Sequence, residues 1–238
     1  MSQAKYFQDT DVATMVTQIK QLPRAENETV LLLIAEHSTI DLNALLAGLK
    51  QHNIPVAGGV FPGVIYGNQR FETAIVVYLL PVLFQPSVVT GLNTKNFALS
   101  ALPTLPKGQK YTALILVDGL TQNIALFLDR LFRKYGNGVR YIGGGAGSLS
   151  FQQKPCVFDT NGVYQDAALI LWVKATTTLG VQHGWKHLHG PFVANKTNQN
   201  LVYQLNNQPA FQVYNELIQR KIGTDLTKEN FFSIAKNY

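Results

Sequence analysis

The 238-residue sequence holds one cysteine, Cys156. A lone thiol excludes an intrachain disulfide and any zinc site built on several thiolates. Charge is also scarce: Asp, Glu, Lys and Arg make up 14% of the chain. The net charge of +6 and the pI near 9.3 come from basic residues scattered from Lys5 to Lys236, with no dense run interleaved with aromatics. That pattern argues against a nucleic-acid surface. No apolar run approaches the roughly 20 residues that cross a bilayer, the best being "TAIVVYLLPVLF". The start, "MSQAKYFQDTDV", has no apolar stretch behind a basic one, so no secretory signal is read there. The expectation is a cytoplasmic protein without a membrane partner. A hydrophobic content of 46% supplies enough core for one large domain, or one domain and part of another.

What is present is periodicity, and it runs through the chain twice. "DVATMVTQIKQL" has Val12, Met15, Val16 and Ile19 at helical spacing, with Asp9 or Thr10 as cap. "TVLLLIA" reads as a buried strand, "STIDLNALLAGLKQ" as a helix with Leu42, Leu45, Leu46 and Leu49 on one face, and "IPVAGG" as a returning strand. "GVIYG" and "FETAIVVYLL" follow as strands around the turn "GNQ". After the proline-rich "ALPTLPKGQ" the order recurs: strand "YTALILV", helix "TQNIALFLDRLFRKYG" with Ile124, Phe127, Leu128, Leu131 and Phe132 on one face, strand "VRYIGG", then "PCVFD", "TNG" and "VYQDAALILWV". Two copies, about residues 29–80 and 111–173, predict an α/β fold of two pseudo-symmetric β-α-β-β-β units, with mixed parallel and antiparallel sheets packed with helices. The glycine-rich stretches of the two copies are expected as turns at one end of a shared sheet, with a ligand cleft between them.

"YIGGGAGSLS" places four glycines in five positions. The dinucleotide fingerprint fails here, because its third glycine would fall on Ser148 and no helix follows; a phosphate loop would need a Gly-Lys-Ser/Thr that is absent. Close packing between the copies explains Gly58 and Gly59 as they stand. For Gly143, Gly144, Gly145 and Gly147 the expectation is that backbone amides, or the space above them, serve a ligand. No nucleotide or metal cofactor is expected. His183, His187 and His189 lack an acidic or thiol companion, so a solvent-edge turn is favoured over a metal site. Trp185 is either a pocket wall or core. Cys156 follows Pro155 in a predicted strand and reads first as a small buried hydrophobe. Ser2, exposed on removal of Met1, is a further nucleophile to weigh, against a polar and fraying start.

"IPVAGGVFPGVIYG", "YIGGGAGSLSFQQKPCVFDTNGVYQDAALILWV" and "GVQHGWKHLHGPFVANKTNQNLVYQLNNQPAFQVYNELI" follow one another in a way that resembles the FIST domain, a sensory domain of intracellular signal transduction. The resemblance covers nearly the whole chain. It implies a bacterial cytoplasmic module that senses small ligands, amino acids among them. It carries site positions onto Gly58, Gly59, Pro62, Gly143, Gly144, Ala146, Gly147, Gly184 and Trp185. Ser148 departs from the pattern, since the family commonly has an aspartate there, to which an ammonium-binding role would fall. The resemblance also implies a FIST N-terminal type domain over residues 1–205 and the start of a C-terminal type region over 206–238, with that region or a signalling output protein as partner.

Two other function classes stay open on the sequence. One is a hydrolase or transferase using Ser148, Ser150 or Cys156, with backbone amides as oxyanion hole. The other is an interaction scaffold using the polar "NKTNQNLVYQLNNQPAFQ". "QPAFQVYNELIQRKI" predicts a helix with Pro209 in its first turn and Phe211, Tyr214, Leu217 and Ile218 at helical spacing. Its apolar face, with Phe231, Phe232 and Tyr238, is expected to be partly exposed and to favour self-association.

Overall fold

A computed structural model of the chain describes residues 4–8, 11–173, 177–182, 185–198, 201–235 and 237–238. Asp9, Thr10, Ser2, His183 and Gly184 lie outside the described residues. Two compact units divide the chain, Met1–Leu179 and Gly180–Tyr238.

The first unit runs β1 (Lys5–Gln8), α1 (Val12–Lys20), β2 (Glu28–Ala35), α2 (Leu42–Gln51), β3 (Val56–Phe61), β4 (Val64–Tyr66), β5 (Gln69–Phe71), β6 (Ala74–Pro81), β7 (Ser87–Val89), β8 (Tyr111–Asp118), α3 (Ile124–Tyr135), β9 (Val139–Ala146), β10 (Val157–Asp159), β11 (Gly162–Tyr164) and β12 (Ala168–Val173). Helix α1 is capped by Asp11, whose carboxylate accepts the Thr14 N–H at 2.9 Å. Asp41 caps α2 in the same way on Ala44, at 3.0 Å. A short side-chain acceptor at this position satisfies an N–H that the first helical turn leaves free.

Two helices cross over between parallel strands, α2 joining β2 to β3 and α3 joining β8 to β9. β6 returns antiparallel beside β2, and β12 beside β8. The strands do not share one sheet as expected. They form two mixed sheets, ordered β1-β6-β2-β3-β10-β11 and β7-β12-β8-β9. The alternation of side chains explains why. Val30, Leu32 and Ile34 of β2 pack with Met15, Ile19, Leu45 and Leu49 of α1 and α2, while Leu31 of the same strand joins Leu116, Leu169 and Leu171 of the other sheet. On the far side, Ile115, Val117, Ile170 and Trp172 pack under Phe127 and Leu131 of α3. Strands apolar on both faces need cover on both faces, and the result is four layers: helices, sheet, sheet, helix.

The two hairpins differ. β10–β11 extends the first sheet, with Phe158 opposite Gly58, whereas β4–β5 forms a two-stranded sheet of its own. On α3 the expected face is split: Phe127 and Leu131 are fully buried, but Leu128 and Phe132 stay exposed, the latter beside the ring of Tyr141.

The second unit contains β13 (Ala194–Asn198), β14 (Leu201–Leu205), β15 (Gln208–Pro209), α4 (Ala210–Ile222) and α5 (Phe231–Ala235). Asn206 and Asn207, both with left-handed φ, make the turn from β14 to β15. Pro209 stands at the N-cap of α4 and left-handed Gly223 closes its C-terminus. Val213, Ile218 and Leu226 are buried, while Leu201, Val202, Phe211, Phe232 and Tyr238 are exposed. The expected face of α4 is therefore shifted, with Val213 rather than Phe211 turned inward. Among the described residues no helix is long and apolar enough to cross a membrane.

Candidate functional site

Parallel strands end together, and in the first unit two such pairs end around one small cavity of about 100 Å³. Glu36 follows β2, Val60 lies near the end of β3, Asp118 closes β8, and Gly147 and Ser148 follow β9. Leu120, Gln152, Lys154, Pro155 and Cys156 complete the lining. Carboxyl ends of parallel strands are the usual ligand position in open α/β sheets. A space of this size holds several waters or a ligand of few heavy atoms. Wider hollows, about 590 Å³ around Arg24, Lys50 and Thr160 and about 490 Å³ around Lys107, Tyr111 and Lys134, are more open and hold none of the glycine-rich positions.

The cavity wall is fixed by a buried carboxylate. Asp118 is 1% exposed. Its Oδ1 accepts the Leu120 N–H at 3.1 Å, and its Oδ2 accepts the Asp166 N–H at 2.8 Å and Gln153 Nε2 at 3.0 Å. The same Gln153 amide donates to Asp166 Oδ1 at 2.7 Å, which also accepts Thr121 Oγ1 at 2.8 Å. One glutamine thus clamps two carboxylates, the buried Asp118 with both oxygens hydrogen-bonded, as burial requires, and the half-buried Asp166. Burial first, then the negative charge of Asp118, a hydrogen bond to it and the charge of Asp166 push the Cys156 thiol up to about 12. Cys156 is therefore a neutral thiol at physiological pH, which is the unreactive form.

The hydroxyls are not assembled for nucleophilic attack. Ser148 Oγ and Ser150 Oγ lie 2.8 Å apart and bond each other, with the Ser150 and Gln152 N–H groups as their other partners. None of these bonds reaches a His, Lys or carboxylate that would serve as base. Two charged groups on the cavity stand differently. The ion pairs among the described residues are Arg70–Glu72 and Arg133–Asp129, and neither involves the half-buried Glu36 or the exposed Lys154.

Gly58, Gly59, Gly143, Gly144 and Gly145 lie within strands rather than in turns, and Gly147 follows directly on β9. Gly58 is buried in β3, where a Cβ would run into the Leu32 carbonyl oxygen and the Phe158 ring. Gly59 faces the inter-sheet layer, its Cβ position 3.0 Å from the Phe61 ring and 3.3 Å from Ala146. Gly143, at φ 145°, sits where a Cβ would strike the Ile115 carbonyl, and Gly145 lies against Gly119. Gly144 has open space above it. Ala146 is buried between the sheets. Pro62 is half-buried, its carbonyl accepting Arg70 Nη2 at 3.4 Å. Trp185 is 53% exposed in the second unit. The structure thus brings Gly147, Ser148 and Cys156 to the cavity and leaves Gly58, Pro62, Gly143, Gly144, Gly145 and Trp185 out of its lining.

Sequence reasoning missed Glu36, Asp118, Gln152, Gln153 and Lys154. A strand of the form "LILVD" ending on a carboxylate was the available signal for Asp118. His187 and His189 are exposed, and among the described residues no group of three His, Cys, Asp or Glu side chains is placed to hold a metal ion.

Fold and cavity define a class: a four-layered α/β module with a small, charge-lined pocket at the ends of its parallel strands. The FIST N domain matches residues 7–208, and the chain belongs to that family. FIST domains are sensory domains of signal transduction. No curated protein matches the chain by sequence.

Proposed function

We propose that the chain is a cytoplasmic sensory module that binds a small zwitterion, an amino acid with a short side chain, in the cavity between Glu36 and Lys154. The observation that carries this reading is the pair of opposite charges, each without an ionic partner among the described residues, on one 100 Å³ space. A zwitterion offers an ammonium to Glu36 and a carboxylate to Lys154 and the Ser148 hydroxyl. The ammonium role that the family resemblance would give to an aspartate at position 148 passes to Glu36, from the end of a different strand. A charged group half-removed from water gains most from a ligand of opposite charge.

Titration calorimetry with glycine and L-alanine tests it, with acetate and ethylamine as half-ligands. Wild type is expected to bind the amino acids more tightly than either half-ligand. Glu36→Gln and Lys154→Met should each weaken binding by about tenfold or more, the loss of one charge-assisted hydrogen bond. Thermal stabilisation should follow, about 2.7 kcal/mol at a hundredfold excess over Kd. Absence of binding by wild type, or variants that bind equally well, would refute the zwitterion site.

A second reading, association through the second unit, is supported by the exposed Leu201, Val202, Phe211 and Phe232. Sedimentation velocity of wild type against a Phe211→Ser/Phe232→Ser variant measures it, and a monomer in both cases removes it.

A further inference from the structure

Residues 147–155 form a strap that runs from the end of β9 toward β10. Ser148, Gln152 and Lys154 line the cavity, while Leu149 and Phe151 are 61% and 58% exposed. Between the cavity-lining Ser148 and Gln152 the backbone turns left-handed at Phe151, with φ 55°. The other left-handed residues with side chains among those described are Asn53, Asp166, Asn206 and Asn207, residue types that adopt this region readily. A phenylalanine does not, and such outliers persist where the surroundings hold them, often beside binding sites. The surroundings here include the Phe151 N–H donated to the Ser148 carbonyl at 3.3 Å, the Ser148–Ser150 hydroxyl pair, and Gln153 fastened to Asp118 and Asp166.

We infer that Phe151 is the positioning residue of the site. Its left-handed backbone stands between Ser148 and the Gln152–Lys154 stretch, and sets both against the same cavity. This inference rests on the zwitterion reading of the cavity.

The test separates backbone from ring in the full chain. Phe151→Asn and Phe151→Gly keep the left-handed turn and discard the ring; Phe151→Val opposes the turn, because a β-branched side chain is the least tolerant of it. With L-alanine as probe, Asn and Gly are expected to bind within about twofold of wild type, and Val about tenfold more weakly, the order of the strain involved. Hydrogen exchange of amides 148–154 should slow on L-alanine binding in wild type, and should be faster in unliganded Phe151→Val than in the Asn and Gly variants. Val binding as wild type does, or Asn and Gly failing as badly as Val, would overturn the inference, the latter by showing that the ring matters rather than the backbone. If wild type does not bind L-alanine, the zwitterion reading fails, and unliganded exchange decides the strap on its own: protection lost only in Val sustains Phe151 as the positioning residue, and uniform exchange removes it.

Discussion

Gly147 donates its backbone N–H to the carbonyl oxygen of Val60 at 2.8 Å, tying the end of β9 in one sheet to β3 in the other. Its φ of 132° is a conformation L side chains rarely adopt, and nothing lies within 4 Å of where a Cβ would stand. Gly147→Ala should therefore cost backbone strain alone, about 1–3 kcal/mol, and loosen the cavity rim. Urea unfolding measures the first and calorimetry the second. An unchanged midpoint would mean the rim does not hold this conformation in solution.

Gly58 and Gly144 make an opposed pair. Gly58→Ala drives a methyl into the Leu32 carbonyl and the Phe158 ring, and overpacking of this kind costs about 1–3 kcal/mol or more. Gly144→Ala meets open space and should change stability by no more than about 0.5 kcal/mol. Loss of ligand in Gly144→Ala with unchanged stability would place a bound group directly over the glycine run.

Alkaline pH tests the buried thiol. The Cys156 thiol and the Tyr135 and Tyr164 hydroxyls are all pushed up to about 12, chiefly by burial. Each is neutral in the fold at pH values where the unfolded chain already ionises. Their contribution to stability is therefore complete below about pH 9 and falls as pH rises toward 12. Cys156→Ala should flatten part of that decline. Ellman's reagent at pH 8 should react slowly with native protein and rapidly in denaturant; equal rates would contradict a buried neutral thiol.

Trp172 is fully buried, with its ring edge-on to Tyr135 at 4.7 Å, and its indole N–H has no hydrogen-bond partner among the described residues. Trp172→Phe removes the unsatisfied donor, worth about 1–3 kcal/mol, while leaving a space that costs a similar amount. The net change should stay within about 1 kcal/mol, against about 3–5 kcal/mol for Trp172→Ala. Guanidinium unfolding of the two variants decides it; equal losses would show that the N–H carries no penalty.

The buried apolar strands β2, β6, β8 and β12 and the faces of α1 and α2 were legible, because hydrophobic periodicity is local. The strand-helix-strand order of both halves was legible for the same reason. The cap of α1 was not, since it falls on Asp11 rather than on the expected Asp9 or Thr10. The partition into two sheets was not: "TVLLLIA" and "YTALILV" are apolar on both faces, which declares burial without naming the neighbour. The glycine run drew attention to the end of the strands where the small cavity lies. It could not show that Gly58 and Gly143 are filled by Phe158 and a carbonyl, since those partners are distant in sequence. Glu36, Asp118 and Gln153 were invisible for a related reason. Single polar residues at strand ends acquire meaning only when three separate segments converge.

The β10–β11 hairpin also fixes the order in which this chain matures. β3 is synthesised long before β10, so the emerging first half leaves the ribosome with the outer edge of β3 bare and the slot above Gly58 empty until Phe158 arrives. Pairings this far apart in sequence slow folding, and a bare edge is a place for wrong partners in the interval. The first half therefore has no finished state of its own. A gene cut between the two copies would yield fragments that complete each other or aggregate, and the intact first unit should melt in a single transition.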